Sequence, residues 1–477
     1  MKSNNKNEIK EDFSLWGLWW AALQQLRGAF GRTRTFMWFA VAVVGLSIRQ
    51  DLAGVTSIVR ILGLQDRCYD RLLDLFHSPA FEPDKLAQLW LKLALKLFTP
   101  YRAHGRLVLL GDGIKVAKEG RKMPGVKSLH QESQDNSKAE YIMGHSCQAL
   151  SLLAQVGENC VAVPIISRIH EGLVFSNRCQ KTVLDRMLEM LAVLKLSCNS
   201  YLVADCYYAA AKIVQGLLAS GHHLISRVKT NAVAYELPTP ETTKKAGRKK
   251  LYGKKLRLYS LFKNTASFSE AKSPCYGEIH VIIRIYTLDL IWRPVGKLMR
   301  FVLVSHPNRG KIVLVCSDTS LEPIEILRLY GLRFKIEVNF KSALHTIGTY
   351  LYHFWMSGMK AIKRPSGNQY LHHEDDKYRD AVRRKLHAYH NFIQTGVTAQ
   401  GLLLYLASCA TTTVWQSFGS YLRTIRPNTL PSEMVVAMAL RNSLPQFLLV
   451  SGSSTILKKF LCHRMDFSRA ETFRLVA

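Results

Sequence analysis

The sequence predicts an α/β protein whose central layer is interrupted by a β-rich insertion and flanked by helical regions. Two patterns support this fold class. Between residues 104 and 235, short apolar runs typical of buried strands alternate with amphipathic helical patterns. Before residue 104 and after residue 320, apolar residues recur instead at helical spacing. Because 477 residues exceed what one ordinary core holds, we expect several domains.

Residues 1–103 are predicted to form a helical, DNA-binding region. Tryptophan and leucine recur at helical spacing in residues 16–26 and again in residues 86–97. Residues 54–76 hold two short helical patterns separated by Gly63, which is typical of a helix-turn-helix and also of an ordinary helical hairpin. The most apolar run, residues 36–48, is too short to cross a bilayer, so a buried helix is expected there.

Residues 104–235 are predicted to form the first part of the α/β layer. Five apolar segments predict buried strands, at residues 106–112, 148–156, 160–169, 201–204 and 222–229, with a turn expected after the first. Helical patterns lie between them at residues 177–196 and 209–219. Two of the predicted strands end at an aspartate, Asp112 and Asp205.

The β-rich insertion is predicted over residues 236–320, and it opens with a basic loop. Residues 244–257 contain eight Lys or Arg and no acid. A charge run is usually a solvated surface, but in a chain of this charge we favour contact with phosphate. The predicted phosphate contacts are Arg248, Lys249, Lys250, Lys254 and Lys255.

The rest of the chain is predicted to be helical. Residues 321–365 should return to the central layer as a helix that carries an acid, Glu337. Residues 366–477 should form a helical C-terminal region for dimerisation or DNA contact. Polar segments near residues 363–369 and 426–432 predict a hinge and a loop.

The charge of the chain points to nucleic acid as a partner. Lys and Arg number 65 against 35 Asp and Glu, a formal net charge of +30, which attracts polyanions. The ten cysteines are scattered without a C-x-x-C pair, which argues against a zinc ribbon and favours reduced thiols. The polar N-terminus is no secretory signal, so we expect a cytoplasmic, nucleoid-associated protein without a membrane partner.

Three acids stand out by their context. Asp112 and Asp205 end apolar strands, where a buried carboxylate is costly unless a cation or a hydrogen-bond donor compensates it. Each aspartate alone could be only a turn former or a helix cap. Together with Glu337 on a following helix, they favour a site for divalent metal ions.

Around Glu337, four polar residues share one face of the predicted helix. Tyr330, Arg333, Glu337 and Lys341 are spaced three, four and four residues apart. An exposed ladder of ion pairs would give the same pattern. A glutamate that binds metal, beside cations that contact phosphate, explains it better.

These motifs resemble those of a known enzyme family. The segments GDGIKV, ADCYY and LRLYGLRFKIE are similar to the three acid-bearing motifs of DDE transposases from bacterial insertion sequences. The similarity is to the branch with a Tyr–Arg–Glu–Lys third motif and a β-rich insertion in its core. Asp205 follows Asp112 by 93 residues and precedes Glu337 by 132, which leaves room for the insertion. The family's Lys lies seven residues past the Glu, where this chain has Leu344, so Lys341 is the candidate substitute.

The resemblance implies an RNase H-like catalytic core, with Asp112 on its first strand, Asp205 after its fourth and Glu337 on a packed helix. It implies two-metal phosphoryl transfer with two Mg²⁺ ions, for which Mn²⁺ should substitute. The implied partners are double-stranded DNA with terminal inverted repeats, target DNA and a second copy of the chain in a synaptic homodimer. Family members of this branch often cut through a hairpin intermediate.

The resemblance also implies DNA contacts around the site. Tyr330 and Arg333 would contact the strand near the cut, and Arg227 and Lys229 would contact the DNA. Trp292 could stack on a flipped base, although a buried core tryptophan is the simpler interpretation. Two alternatives remain open: a catalytically inactive or domesticated DNA-binding relative, and an RNase H-like nuclease without strand transfer.

Overall fold

A computed structural model of the chain confirms the α/β class. It describes residues 14–131, 139–238, 250–275, 277–278, 280–420, 424–449, 455–466 and 468. The described residues include one mixed sheet of fourteen strands and a separate parallel pair. Helices cover the sheet on both faces.

The elements follow the predicted order. The N-terminal helices are α1 (Leu15–Gln24), α2 (Thr33–Ile48), α3 (Gly54–Ile61), α4 (Cys68–His77) and α5 (Pro83–Leu97). The next strands are β1 (Thr99–Pro100), β2 (Arg102–Ala103), β3 (Arg106–Ala117), β4 (Lys127–His130), β5 (Tyr141–Val156), β6 (Asn159–Ile169) and β7 (Leu173–Val174). They are followed by α6 (Val183–Val193), β8 (Ser200–Ala204), α7 (Ala211–Ala219) and β9 (His223–Arg227).

The insertion and the C-terminal part complete the chain. The insertion contains β10 (Val233–Tyr235), β11 (Lys255–Arg257), β12 (Ser269–Lys272), β13 (Ile282–Trp292), β14 (Lys297–His306) and β15 (Gly310–Cys316). The remaining elements are α8 (Pro323–Leu332), α9 (Lys335–Ser342), β16 (Gln369–Tyr370), α10 (Asp376–Cys409), α11 (Thr411–Phe418), α12 (Glu433–Leu449) and α13 (Ile456–Cys462).

The centre of the sheet has the strand order β6-β5-β3-β8-β9. The strands β3, β5 and β6 form an antiparallel meander, while β8 and β9 run parallel to β3. This order, with these directions, is that of an RNase H-like core. Because β6, β3, β8 and β9 all run the same way, their carboxyl ends meet at one edge of the sheet.

Alternation along β3 assigns its side chains to two different cores. Leu107 and Leu109 belong to the large core that includes α6, α7 and the terminal helices. Val108 and Leu110 belong to the second core, which α8 and α9 cover. Successive side chains of a strand point to opposite faces, so Asp112 lies on the face of Leu110. The sequence pattern therefore directs Asp112 towards α8 and α9.

The insertion extends the central sheet instead of forming a separate layer. Its last strand, β15, pairs antiparallel with β9, and β14, β13, β10 and β11 follow outward. The three long strands β13, β14 and β15 lie within residues 236–320, the segment for which the sequence predicted a β-rich insertion. Residues 239–249, which include Arg248 and Lys249 of the basic loop, lie outside the described residues.

One prediction about the third-motif helix was wrong. The segment is two helices, α8 and α9, which meet at Arg333 and Phe334 instead of forming one straight helix. At the junction, Arg333 and Ile336 donate backbone hydrogen bonds three residues back, to Tyr330 and Arg333, which tightens the turn. Gly331, a poor helix former, precedes the break. The helical segment also ends at Ile347, before Gly348 with φ of 70°, and not near residue 365.

The N-terminal and C-terminal helices pack as one body around α10. This helix contacts α1, α2, α4, α5 and α12. Two side chains join the helical body to β6: Trp90 Nε1 donates to Pro164 O at 2.8 Å, and Gln394 Nε2 donates to Ile165 O at 2.9 Å. Residues 36–48 are buried within α2, as the sequence predicted.

No single helix of the described residues is both long and apolar enough to cross a membrane. The pair α10 and α11, bent by 104°, passes the same test of length and composition only when the two are taken together.

Candidate active site

Strand register brings Asp112 and Asp205 together. In the parallel pair of β3 and β8, Gly111 is opposite Ala204, so Asp112 and Asp205 take the next position on adjacent strands. Adjacent strands are about 4.8 Å apart. Both aspartates also have the parity of the core that α8 and α9 cover. The sheet thus places two carboxylates side by side. The prediction that the first strand ends at Asp112 was wrong, because β3 continues to Ala117 by pairing with β5, whereas Asp205 directly follows the end of β8.

Arg333 links Asp112 to the third predicted acid. Its Nη1 donates to Asp112 Oδ2 at 2.8 Å, and its Nη2 donates to Glu337 Oε1 at 2.8 Å. Glu337 sits one turn further on, in the first turn of α9, so the two residues are neighbours despite the helix break. Asp112 and Glu337 therefore lie on the same face of the sheet and share one guanidinium.

The position of Asp112 destabilises its ionised form. Its side chain is only 18% exposed, and burial raises its pKa to about 6 against the opposing influence of Arg333. Asp205 and Glu337 raise the pKa further, because three carboxylates in one place repel each other. Ionising Asp112 in the fold thus costs about 3 kcal/mol relative to an exposed aspartate. Protonated Asp112 therefore stabilises the folded state relative to the unfolded state at pH below about 4. This stabilisation is lost as the pH rises through about 6.

Asp205 also has a structural role. Its side chain accepts a hydrogen bond from Tyr207 N at 3.0 Å and caps the short turn 206–208. Its backbone carbonyl accepts a hydrogen bond from Ser226 Oγ at 2.7 Å. The two interpretations from the sequence, cap and metal ligand, are therefore compatible at this residue.

The three acids line one open cleft of about 700 Å³. Three oxygen-bearing carboxylates are a donor set that suits Mg²⁺ or Mn²⁺. Within the described ranges, however, no group of three His, Cys, Asp or Glu side chains is close enough together to hold a metal ion as placed. The positive charge that Asp112 and Glu337 need is supplied by Arg333. The three carboxylates fit a divalent metal in their chemistry, and Arg333 is the cation that contacts two of them.

The cleft contains ionisable residues that the sequence analysis missed. His170 and Glu171 follow β6, whose carboxyl end lies at the same edge as Asp112 and Asp205. Lys127 Nζ donates to Glu171 Oε2 at 2.8 Å and holds the pKa of that carboxyl below its usual range, against the effect of burial. The sequence signal that could have identified Glu171 is its position two residues after the apolar strand β6. Lys115, on β3, lines the cleft as well.

Beyond Asp205, two adjoining cavities continue towards the insertion. The first, of about 470 Å³, is lined by Arg227 and Lys229 together with Tyr259 and Lys311. The second, of about 360 Å³, is lined by Lys229 and Trp292. Both cavities are lined in part by Cys206, the residue directly after Asp205. Trp292 is 7% exposed, which makes it a core residue that borders a cavity.

Two further predicted DNA contacts, Tyr330 and Lys341, lie on α8 and α9. Tyr330 is half-buried next to Arg333, whose guanidinium carbon is 6.0 Å from the ring centre. Its pKa is raised by burial, and Arg227 and Asp205 are close enough to influence it. Lys341 is exposed on α9, one turn after Glu337. The structure thus brings Tyr330 to the cleft region, while the DNA-binding roles stay predictions.

The described part of the basic loop lies on the outer strands of the sheet. Lys250, Lys254 and Lys255 are exposed, and Lys255 begins β11, which pairs with β10. Through β10 and β13, this edge is joined to the strand that carries Trp292.

Comparison with known proteins gives one sequence family. Residues 25–274, just over half of the chain, match the DDE superfamily endonucleases. Among solved structures, the chain is similar to a piggyBac transposase in a synaptic complex with hairpin DNA. That similarity has a TM-score of 0.36 and 9% sequence identity, and it covers 91% of this chain and 77% of the other. No curated protein sequence matches the chain.

Proposed function

This chain belongs to the DDE superfamily endonucleases, and we propose that it is a DNA transposase that cuts at the ends of a mobile element and joins them to target DNA. Within that family, we place it in the bacterial insertion-sequence branch with the Tyr–Arg–Glu–Lys motif. The observation that best supports this proposal is that Arg333 bonds to both Asp112 and Glu337. The two acids therefore lie on one face of the sheet, beside Asp205.

Asp112, Asp205 and Glu337 would hold two divalent ions, Mg²⁺ or Mn²⁺, in this proposal. The bound ions would activate the attacking oxygen and stabilise the leaving oxygen in phosphoryl transfer. The chain itself supplies an edge of the sheet where two carboxylates are forced together, and a helix that brings the third. The raised pKa of Asp112, caused first by burial and partly offset by Arg333, supports this role, because a bound cation would reduce the free-energy cost of ionising that carboxyl in the fold.

Arg333 would have two kinds of partner: the acids Asp112 and Glu337, and a DNA phosphate. In the metal-free chain it neutralises Asp112 and Glu337. With divalent ions bound to the acids, the Arg333 guanidinium would be free to contact a DNA phosphate, for which its planar donors are well suited. Tyr330, stacked at the edge of the same guanidinium, would contact the strand beside the cut.

The DNA would run from the cleft along the two cavities towards the insertion. Arg227, Lys229 and Lys311 offer positive charge along this path, and Trp292 lies where it could stack on a base. Lys341, Lys250, Lys254 and Lys255 would add phosphate contacts. The helical N-terminal region would bind the terminal repeats, and the C-terminal helices would serve the dimer of the synaptic complex. We place the protein with the nucleoid in the cytoplasm.

Replacing Lys250, Lys254 and Lys255 by Gln should weaken binding similarly for all DNA sequences. Each lost phosphate contact on duplex DNA lowers the log–log salt slope by about 0.9. Fluorescence anisotropy over a range of NaCl concentrations measures this slope, with Lys272→Gln on β12 as a control for general charge. An unchanged slope would mean that these lysines only face solvent.

The proposed function is tested with the DNA that flanks the coding sequence. Purified protein, with Mg²⁺, should cut a plasmid carrying that DNA at short inverted repeats and leave 3′-hydroxyl ends that join to a second plasmid. Cutting without joining would favour a nuclease. Binding without cutting would favour an inactive relative, for which Arg333 would be a permanent partner of the acids.

A further inference from the structure

A second basic surface lies on the side of the cleft away from the insertion. It is formed by Arg121, Lys122, Tyr141, Trp355, Lys363 and Arg364, and we call it the aromatic surface. All six residues are exposed. Two of them are large aromatics, Trp355 at 63% and Tyr141 at 58% exposure, which are among the most exposed aromatic side chains of the described residues. None of the DNA contacts proposed above lies here.

The aromatic surface is built by two segments that are bonded to each other. Met356 N donates to Lys122 O and Ile362 N donates to Arg121 O, both at 2.9 Å. Side chains add to these contacts: Arg121 Nε donates to Ile362 O at 3.1 Å, and Lys122 Nζ donates to Ser357 O at 3.1 Å. The irregular segment 355–366 is thereby fixed along the loop that follows β3.

The two exposed rings border the same turn. A side chain at Gly120 would come within 2.9 Å of Trp355 Nε1, so the indole packs over that glycine. Tyr141 lines a shallow cavity of about 460 Å³ together with Glu119, Arg364 and Pro365. Two exposed acids border this surface: Glu119, and Glu140, which directly precedes Tyr141. Arg121 and Lys122 each donate one side-chain hydrogen bond to a backbone carbonyl, and all four cations remain exposed to solvent.

The aromatic surface is continuous with the cleft through β3. Asp112 lies in the cleft and Ala117 borders the cavity of Tyr141, five residues further along the same strand. That is about 16 Å at the rise of a strand. Lys115, between them, lines the cleft and is exposed. A polyanion leaving the cleft along β3 would meet Lys115 first and the two rings next.

We propose that the aromatic surface binds an unpaired DNA strand that leaves the cleft along β3. Exposed rings among cations are suited to unpaired strands, because each base then offers a face for stacking, whereas a duplex keeps its bases stacked on each other. Trp355 and Tyr141 would stack on bases, while Arg121, Lys122, Lys363 and Arg364 would contact the phosphates. The inference rests on the proposed function only for the origin of this strand.

Anisotropy with a labelled oligo-dT of about 15 nucleotides, and with a duplex of equal length, tests this binding on the full chain without metal. Stacking contributes about 1–3 kcal/mol per base, so Trp355→Ala/Tyr141→Ala should weaken single-strand binding at least about 10-fold. Duplex binding should change less than about 2-fold, because the phosphate contacts remain. Trp355→Phe/Tyr141→Phe should retain most of the single-strand affinity.

Tyr370→Ala is the matched control, since Tyr370 is 59% exposed but lies beside His372, outside the aromatic surface. Should the double alanine variant fold poorly in a melting experiment, Lys363→Gln/Arg364→Gln provides the second test. Its single-strand salt slope should fall by about 0.7 for each lost contact. Wild-type single-strand affinity in the aromatic variant, or an equal loss for single strand and duplex, would overturn the inference. Mg²⁺-dependent cleavage is a separate readout, so either idea can fail alone.

Discussion

Asp205→Asn is expected to lower Mg²⁺-dependent nicking by several orders of magnitude while leaving DNA affinity near that of the wild type. Asparagine keeps the shape of the side chain and can still accept the hydrogen bond from Tyr207 N, so the cap of the turn should survive. It removes the charge that would bind a divalent ion. Binding should persist because Lys and Arg supply most of the contacts with phosphate.

Nicking, DNA affinity and melting temperature should be measured on the same preparation. Asp289→Asn is the matched control, since Asp289 is an aspartate of the insertion whose two oxygens pair with Arg300 at 2.9 and 2.8 Å. That variant should nick normally. If Asp205 were only a cap, Asp205→Asn should leave both the melting temperature and nicking close to those of the wild type, because asparagine caps about as well as aspartate. Strong nicking by a well-folded Asp205→Asn protein would therefore contradict the mechanism.

Arg333→Gln should have opposite effects on metal binding and on catalysis. Without the guanidinium, Asp112 and Glu337 lose their shared cation; the partly buried bond to Asp112 contributes about 1.5–3 kcal/mol before relaxation, and the exposed pair with Glu337 contributes little. The metal-free variant should melt at a lower temperature. Divalent ions should bind it several-fold more tightly, because they no longer compete with Arg333. Cleavage should nevertheless fall, since a cation that would contact phosphate is gone.

Arg328→Gln provides the control for Arg333. Arg328 is on α8 and pairs with Glu325 at 2.9 Å on the exposed side of that helix. Its replacement should change neither the affinity for Mn²⁺ nor the melting temperature by much, because exposed pairs contribute little. If Arg333→Gln bound Mn²⁺ no more tightly than Arg328→Gln, the guanidinium would not be a stand-in for the metal.

Local patterns in the sequence predicted the central strands well. The apolar run of β3 and its period of two determine which side chains share the face of Asp112. The run before Asp205 predicted β8 in the same way. The adjacency of the two aspartates could be inferred only through the family resemblance, because pairing of β3 with β8 joins segments about 90 residues apart in sequence.

Features that depend on distant contacts were not predictable. The pairing of β9 with β15, which makes the insertion an extension of the central sheet, leaves no local signal in either strand. The break between α8 and α9 arises from a few backbone bonds at Arg333, within a segment whose apolar spacing is helical throughout. The packing of terminal helices around α10 is likewise a contact between opposite ends of the chain.

The candidate site was only partly accessible to sequence reasoning. Spacing on a helix predicted that Arg333 would lie beside Glu337, but not that the same guanidinium would reach Asp112. His170 and Glu171 were overlooked although they follow an apolar strand as Asp205 does. Their position became meaningful once β6 was found to run in the same direction as β3.

Calorimetric titration of Mn²⁺ into the metal-free protein tests the central claim most directly. The wild type should bind divalent ions in the presence of DNA, and the variant Asp112→Asn/Asp205→Asn/Glu337→Gln should bind none at the site. The wild-type affinity should also fall as the pH is lowered through about 6, because protons then compete for Asp112. Equal binding by the wild type and the triple variant, with both well folded, would contradict a metal-dependent site built from these three acids.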